Sequence, residues 1–467
     1  MRISEKITED NAMNEDAKKL QSEREANMQN VLDGRIPDRV PINVSLGLDI
    51  VCEYAEVDRK DALWEESLLE SAADELCSMI PSDICVYSSK IHKPGHYQTL
   101  DSQNCIMAEN GFMQHPNTVG MLAEDYDAFI ENPFDCIVER ILPRNYSGLD
   151  YFNDPAKAMF PLAKMVMADS YNAGAAGGIA ARLIEKYGFY AAKPGTGGGV
   201  YTPLDILTDN LRSFSGMLTD IRRRRDKVKA AVEAIYPLNY KIGKPSVLWP
   251  YGGPVFPLHM PTYMREKDFA ELWWPQWYRQ VTDYASLGIH SQAFCEHDWM
   301  RYLDYLQDLP VNTKLQFEYG DPRTVKDRLG SRHILTGLFP VSSMRSLTKQ
   351  QCIDKTKEFL DIMAPGGRFF FMFDKSPLVL ADVSIENLTA ICETVLSEGK
   401  YTNPGTPTGL SFSQSDYSHS ETAEFTSKYY TTWEQYKAKH PQTPESAKSI
   451  VMGYEDRMVA AVYGLCQ

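Results

Sequence analysis

The chain has 467 residues, 43% of them hydrophobic and 24% charged, which suits a soluble globular protein with one large α/β domain and insertions, or with two domains. With 48 basic and 63 acidic side chains its net charge is −15, which argues against nucleic acid or an anionic membrane as the main partner. The nine cysteines are scattered with no CxxC pair, the first residues are charged rather than apolar, and no apolar run approaches the ~18 residues of a membrane span, so a cytoplasmic protein with reduced thiols is expected. Arg222 to Arg225 form a local basic patch on which an acidic protein could still dock.

Residues 14–33 read as an N-terminal helical extension that Gly34 stops. The prolines that follow give way to a first strand at Val40 to Val44. Apolar spacing at Leu63, Leu68, Leu69 and Leu76 predicts a helix over 60–79, with a second strand at Ser82 to Tyr87. Residues 90–150 lack clean periodicity and read as an insertion with strands near 95–115. A helix over 154–187 is expected to break at Gly174 to Gly178. The glycine-rich run Ala192 to Pro203 lacks the Gly-Lys-Ser/Thr close of a phosphate-binding loop and reads as a close-packed loop lining a pocket. Leu204 to Ile235 is a long helical region, Pro245 to Tyr251 a strand with a turn after it, and 264–286 an aromatic-rich helix kinked at Pro275.

From there the alternation is regular. Strands at 288–295, 313–318, 333–339 and 368–373 lead to helices at 300–308, 322–329, 347–362 and 384–399, which predicts a parallel sheet. Added to strands near 40, 83, 193 and 246, they reach the number of a (β/α)8 TIM barrel, with a doubly wound open sheet as the alternative. Residues 1–400 are read as the barrel domain, with an insertion over roughly 90–190, and 401–467 as a C-terminal helical extension packed on its outside.

In parallel α/β folds the chemistry is housed beyond the C-terminal ends of the strands. Ala293-Phe-Cys-Glu-His-Asp-Trp299 ends one strand with several acid/base groups, and Glu318 and Asp374 end two others. Glu296, His297, Glu318 and Asp374 form the candidate metal set, with Glu296, Glu318 and Asp374 also the candidate catalytic residues. Zinc takes imidazole nitrogen and carboxylate oxygen, and manganese or magnesium stays open. The alternative is a set of helix caps and surface charges, which suits Asp298 and Asp321, the latter before Pro322. His290 and His333 read as structural. His259, Tyr201, Tyr251, Phe294, Tyr319 and Phe339 are the candidate substrate-binding residues; with Trp249 they would suit a flat apolar substrate.

The order of several short motifs adds to this. Asn30 to Pro41, then Pro203-Leu-Asp-Ile-Leu207 with Leu211-Arg-Ser-Phe-Ser-Gly216 and Asp220-Ile-Arg, resembles the uroporphyrinogen decarboxylase superfamily. So does the late series Leu335-Thr-Gly-Leu-Phe-Pro340, Gly366-Gly-Arg-Phe-Phe-Phe and Ile385-Glu-Asn-Leu388; together they span roughly residues 20–400. The resemblance implies a (β/α)8 barrel with one of two activities: cofactor-free porphyrinogen decarboxylation, or zinc-dependent methyl transfer involving corrinoid proteins. The decarboxylases' arginine-rich opening is not evident, since Pro41-Ile-Asn-Val-Ser45 offers no arginine pair, and this favours the methyltransferase side. The thiol-methylating branch holds zinc with His-x-Cys and a later Cys; Phe294 and Glu296, then Asp374, fall near those positions here. An oxygen-rich set suits the polarising of an ether oxygen better than a thiolate. The expectation is a zinc-dependent enzyme that demethylates a small methylated donor, such as a methoxylated aromatic, and passes the methyl to cob(I)alamin. The chain has no Asp-x-His-x-x-Gly corrinoid signature, so the cobalamin would arrive on a separate corrinoid protein. A cofactor-independent decarboxylase and a non-enzymatic binding barrel are the competing readings, and a homodimer is left open.

Overall fold

Five parallel strands follow one another in chain order, each hydrogen-bonded to the next: β1 (Gly197–Gly199), β2 (Gly253–Leu258), β3 (Gln292–Asp298), β4 (Lys314–Tyr319) and β5 (Ile334–Gly337). Further parallel bridges extend the pairing. Leu335 pairs with Phe369 and Phe339 with Phe373; Phe371 pairs with Ile42; Leu46–Gly47 pair with Tyr87–Ser88; and Ile84 pairs with Tyr190. The chain is α/β, with a five-stranded parallel sheet among many helices. This computed structural model describes residues 14–89, 94–116, 118–421 and 423–466. The charged start of the chain and residues 90–93 of the expected insertion lie outside the described residues.

The two faces of the strands differ, because side chains alternate with a period of two. Phe256, Leu258, Ala293, Cys295, Leu315 and Phe317 are fully buried on one face. Phe256 meets Trp277 of α3 (Trp274–Ala285) edge to face, which places that side against the helices. The intervening residues Gln292, Phe294, Glu296, Lys314 and Glu318 all retain accessible surface, and Val255 in the middle of β2 is 38% exposed. The helical side carries the main apolar core, including stacked and edge-on contacts among Phe269, Trp273, Trp277, Trp299 and Tyr302.

Several boundaries differ from those expected. Pro245 to Tyr251 forms no strand. The strand begins at Gly253, whose φ of +153° and closeness to the His290 carbonyl exclude a side chain, and it runs through Pro254 and Pro257. Tyr251 therefore precedes the strand instead of following it. The helix α1 (Glu15–Leu32) agrees with the pattern, and α2 (Pro155–Tyr187) runs unbroken through Gly174 to Gly178. Residues 95–115 hold a short helix, Pro94–Thr99, and a two-residue antiparallel pair, Ile106–Met107 with Met113–Gln114. The long helical region after 203 is cut into Pro203–Ile206, a π-turn at Leu207–Leu211, Phe214–Arg223 and Arg225–Gly243, because Ser213 adopts a φ of +71° and caps the third piece. Pro275 sits in the first turn of α3, directly after a second π-turn at Phe269–Trp273, so it starts a helix and does not kink one. The helices after β4, β5 and residue 384 lie at Pro322–Leu329, Lys349–Met363 and Ile385–Glu398.

The N-terminal ends of the strands are tied together by buried charge. Asp83 accepts hydrogen bonds from the Arg39 guanidinium and, at 2.7 Å, from the Ile42 amide, with Arg24 3.6 Å away. Arg368 is buried beneath the same end and donates to the Thr408 carbonyl, so the segment after residue 400 closes under the strands. Gly34 has a φ of +68°, and any side chain there would collide with that guanidinium. The C-terminal helices Trp433–Lys439 and Lys448–Gly464 lie beyond, with the Tyr146 hydroxyl donating to the Leu465 carbonyl. No described helix is long and apolar enough to cross a membrane. Replacing Asp83 by Ala leaves Arg39 and the Ile42 amide without their acceptor, and the expected cost is about 3–5 kcal/mol in urea unfolding. A loss below about 1 kcal/mol would mean that this cluster does not hold the strand ends together.

Candidate active site

His259 stands at the C-terminal end of β2 and is gripped on both ring nitrogens. Its Nδ1 lies 2.8 Å from Asp209 Oδ2 and its Nε2 lies 2.8 Å from Glu296 Oε2. Asp209 comes from the π-turn after β1, and π-turns widen one helical turn enough to re-aim a side chain. Burial alone would lower the imidazole's pKa, but the two carboxylates outweigh it and bring the value up to about 10. Tyr201, its own pKa pushed up to about 12 by burial, stands edge-on to the ring at 6.3 Å.

The end of β3 is irregular. The register with β4 shifts between Cys295 and Asp298, and His297 adopts a φ of +60°, a conformation uncommon for a residue with a side chain. In a regular strand, neighbours 296 and 297 would face opposite sides. The bulge brings them together, with His297 Nε2 3.5 Å from Glu296 Oε1. The same nitrogen lies 2.9 Å from the Tyr263 hydroxyl, and the Tyr263 ring packs edge-on against Phe214. The His297 amide donates to Glu318 Oε2 at 2.8 Å, and Lys375 donates to Glu318 Oε1 at 2.7 Å. Burial works to raise the Glu318 carboxyl, but Lys375 and that amide prevail and leave it lowered. Asp374 goes the other way. Burial raises it, only partly offset by the Val341 and Lys375 amides, which both donate to its Oδ1.

Glu296, His297, Glu318, Asp374 and Lys375 thus surround one region at the strand ends, and His259 joins it through Glu296. Phe294 lies two residues below Glu296 on the accessible face of β3. Tyr319 is 62% exposed. Two aromatic residues sit elsewhere. Phe339 is fully buried among Phe359, Phe371 and Phe373, and Tyr251, at the opposite end of β2, donates to Asp33 of the chain just after α1. His333 is buried with Nε2 2.8 Å from the Leu306 carbonyl, and His290 is buried against Phe412. Asp321 caps its helix through the Thr324 amide.

No family model matches the chain, and no curated protein matches it in sequence. Among solved structures, a methyltransferase from Methanosarcina mazei is similar to it over 81% of this chain and 98% of that one, at 13% identity and a TM-score of 0.45.

Sequence reasoning passed over Asp205, Asp209 and Tyr263. Asp205 is fully buried, and its Oδ1 accepts from the Met260 amide and the Trp273 indole. Burial and the nearby Asp209 raise its pKa well above the ordinary carboxylate range. The signal was present, since two aspartates four apart directly after Thr202-Pro203 lie on one side of a helix start; the apolar residues between them drew the eye to the core.

For a metal, donor chemistry is the test. Among the described residues no three His, Cys, Asp or Glu side chains converge as a ready-made metal cluster. His259 and Glu296 nonetheless offer nitrogen and oxygen side by side, and Asp209 on the far nitrogen is the outer partner that a ligating histidine ordinarily has. Cys295 is fully buried on the helical face with its thiol pKa pushed up by burial, so this thiol is turned away from Glu296 and His259. Imidazole nitrogen and carboxylate oxygen are the donors that a hard or borderline cation takes.

In metal-free protein the His259 imidazole is expected to stay charged at neutral pH and to titrate near pH 10 in an NMR titration. Because that lies above its ordinary 6.5, the stability it contributes is complete below about pH 6.5 and is lost as the pH rises through about 10. Asp209→Asn should move the titration down; an unmoved value would remove Asp209 from the clamp.

Proposed function

We propose that this chain is a (β/α)8 barrel methyltransferase. It removes a methyl group from a small methylated donor, such as a methoxylated aromatic, and hands it to cob(I)alamin on a separate corrinoid protein. The barrel reading is supported by the parallel pairings, which link 42–47 with 84–88, Ile84 with Tyr190, Gly197–Gly199 with the four later strands in turn, and 369–373 with both β5 and Ile42. Eight strands paired in that order would make a closed ring, whose interior the accessible face would line.

The observation that carries the activity is His259 set between Asp209 and Glu296 at the C-terminal strand ends. A divalent cation, zinc above all, would be held there by Glu296 and His259, with His297 and Glu318 the next donors. When bound it supplies Lewis-acid polarisation of the donor's ether oxygen. The protein does the rest. Asp209 fixes which His259 nitrogen faces the site, the Lys375 ammonium keeps Glu318 ionised and in place, and the His297 bulge keeps Glu296 aimed inward. The carbon–oxygen bond would break with its electron pair leaving on oxygen, and the partner's cobalamin would supply the methyl acceptor. An oxygen-rich set is a harder acid than a thiolate set and suits an oxygen leaving group. The motif order in the sequence points the same way. Decarboxylation of a polycarboxylate would call for free cations at these strand ends, and Lys375 is already committed to Glu318.

Chelator-free protein is expected to carry about one zinc per chain, and Glu296→Ala and His259→Ala to lose it. Asp209→Ala should weaken the metal ~10–100-fold and leave the fold intact. Zinc addition at pH 8 should release a proton as the metal displaces it from His259. Elemental analysis with a pH-stat reads both. Failure of the wild type to take up a divalent metal when supplied would sink the metal-assisted mechanism.

A further inference from the structure

The accessible face of the strands has a polarity that the mouth residues do not explain. On β4 the row runs Glu318, Gln316, Lys314 from the C-terminal end inward, and Lys314 is paired in register with Gln292 of β3. Lys314 is only partly exposed and stands on the face that carries Gln292, Phe294 and Glu296. Among the described residues no carboxylate pairs with it, and burial alone pulls its pKa down to about 8. On the same face Val255, the register partner of Gln292, is 38% exposed, and a side chain added at its own partner Gly199 of β1 would meet no atom within 4 Å. In the same wall Thr336, the partner of Gln316, is buried with its hydroxyl unpartnered.

An unpaired ammonium in such a place is costly, and an anion is what relieves it. At the C-terminal strand ends, by contrast, the cations already have carboxylate partners, His259 with Glu296 and Lys375 with Glu318. Four residues of strand separate Lys314 from Glu318, about 13 Å between backbone positions, which leaves room for one ring substituted at both ends. We propose that Lys314 is an anion-binding residue at the floor of the barrel, and that it anchors the carboxylate of an aromatic acid whose methyl-bearing end lies at Glu296 and His259. The part concerning the methyl end rests on the function proposed above; the anion subsite does not.

The test is calorimetric titration of full-length, metal-free protein with benzoate and 4-methoxybenzoate, and with the uncharged benzamide and 4-methoxybenzamide. The wild type should bind each acid at least ~10-fold more tightly than its amide. Lys314→Met should abolish that preference, and Lys314→Arg should retain it. Lys314→Met removes an unpaired buried charge, so it should melt no lower than the wild type; if it does not fold, Lys314→Gln takes its place. Equal binding of acid and amide by the wild type, no binding of either at millimolar concentration, or an unchanged preference in the uncharged variants would overturn the proposal. Benzoate carries no methyl group, so a protein that binds it through Lys314 but transfers no methyl would keep the subsite and discard the methyltransferase reading.

Discussion

The two-faced strand is the constraint from which the rest follows. Parallel strands joined through helices must bury one face against those helices, and Phe256, Leu258, Ala293, Cys295, Leu315 and Phe317 do so completely. With period-two alternation, Gln292, Phe294, Glu296, Lys314, Gln316 and Glu318 then have no choice but the opposite face. The polar groups that a helical interface would reject are thereby gathered on the only surface that can solvate or ligate them. Loss of that alternation at any one strand would drive its carboxylates into the core, where an unpaired charge costs several kcal/mol.

Electrostatics at the strand ends then comes from pairing. Each of the groups gathered there is held by a specific neighbour: His259 by Asp209 and Glu296, Glu318 by Lys375 and the His297 amide, Asp374 by two backbone amides. These groups and their partners come from six different segments of the chain, so the site exists only when the strands are in register. At the other end the Arg24–Arg39–Asp83 cluster and buried Arg368 have structural partners throughout. The two ends of the same strands therefore divide into one that fastens the fold and one that presents acid and base groups.

Much of this was legible in the chain itself where the signal is local. The late units from residue 288 onward repeat a short apolar strand and an amphipathic helix, and β3, β4 and β5 with their helices lie where that pattern puts them, to within a few residues. Asp321 before Pro322 announces its own cap. The region between 190 and 275 was harder, because its signals compete. Val247, Leu248 and Trp249 have strand character, whereas the true strand contains Pro254 and Pro257, which local propensity counts against it. Register against β3 overrides that count. The misplaced strand carried Tyr251 to the wrong end, and the apolar residues around Asp209 hid the carboxylate that orients His259.

The sequence by itself determined the class of fold, the run of βα units, and the prominence of Glu296, His297, Glu318 and Asp374, because periodicity and strand ends are properties of a few consecutive residues. Only the tertiary structure decided that His259 belongs with Glu296, that Asp209 stands behind it, that Phe339 is core, and that Lys314 has no carboxylate paired with it among the described residues. Those facts depend on which strand lies beside which, and on a bulge and a π-turn that re-aim single side chains. Such contacts join residues tens of positions apart, and no spacing within one segment encodes them.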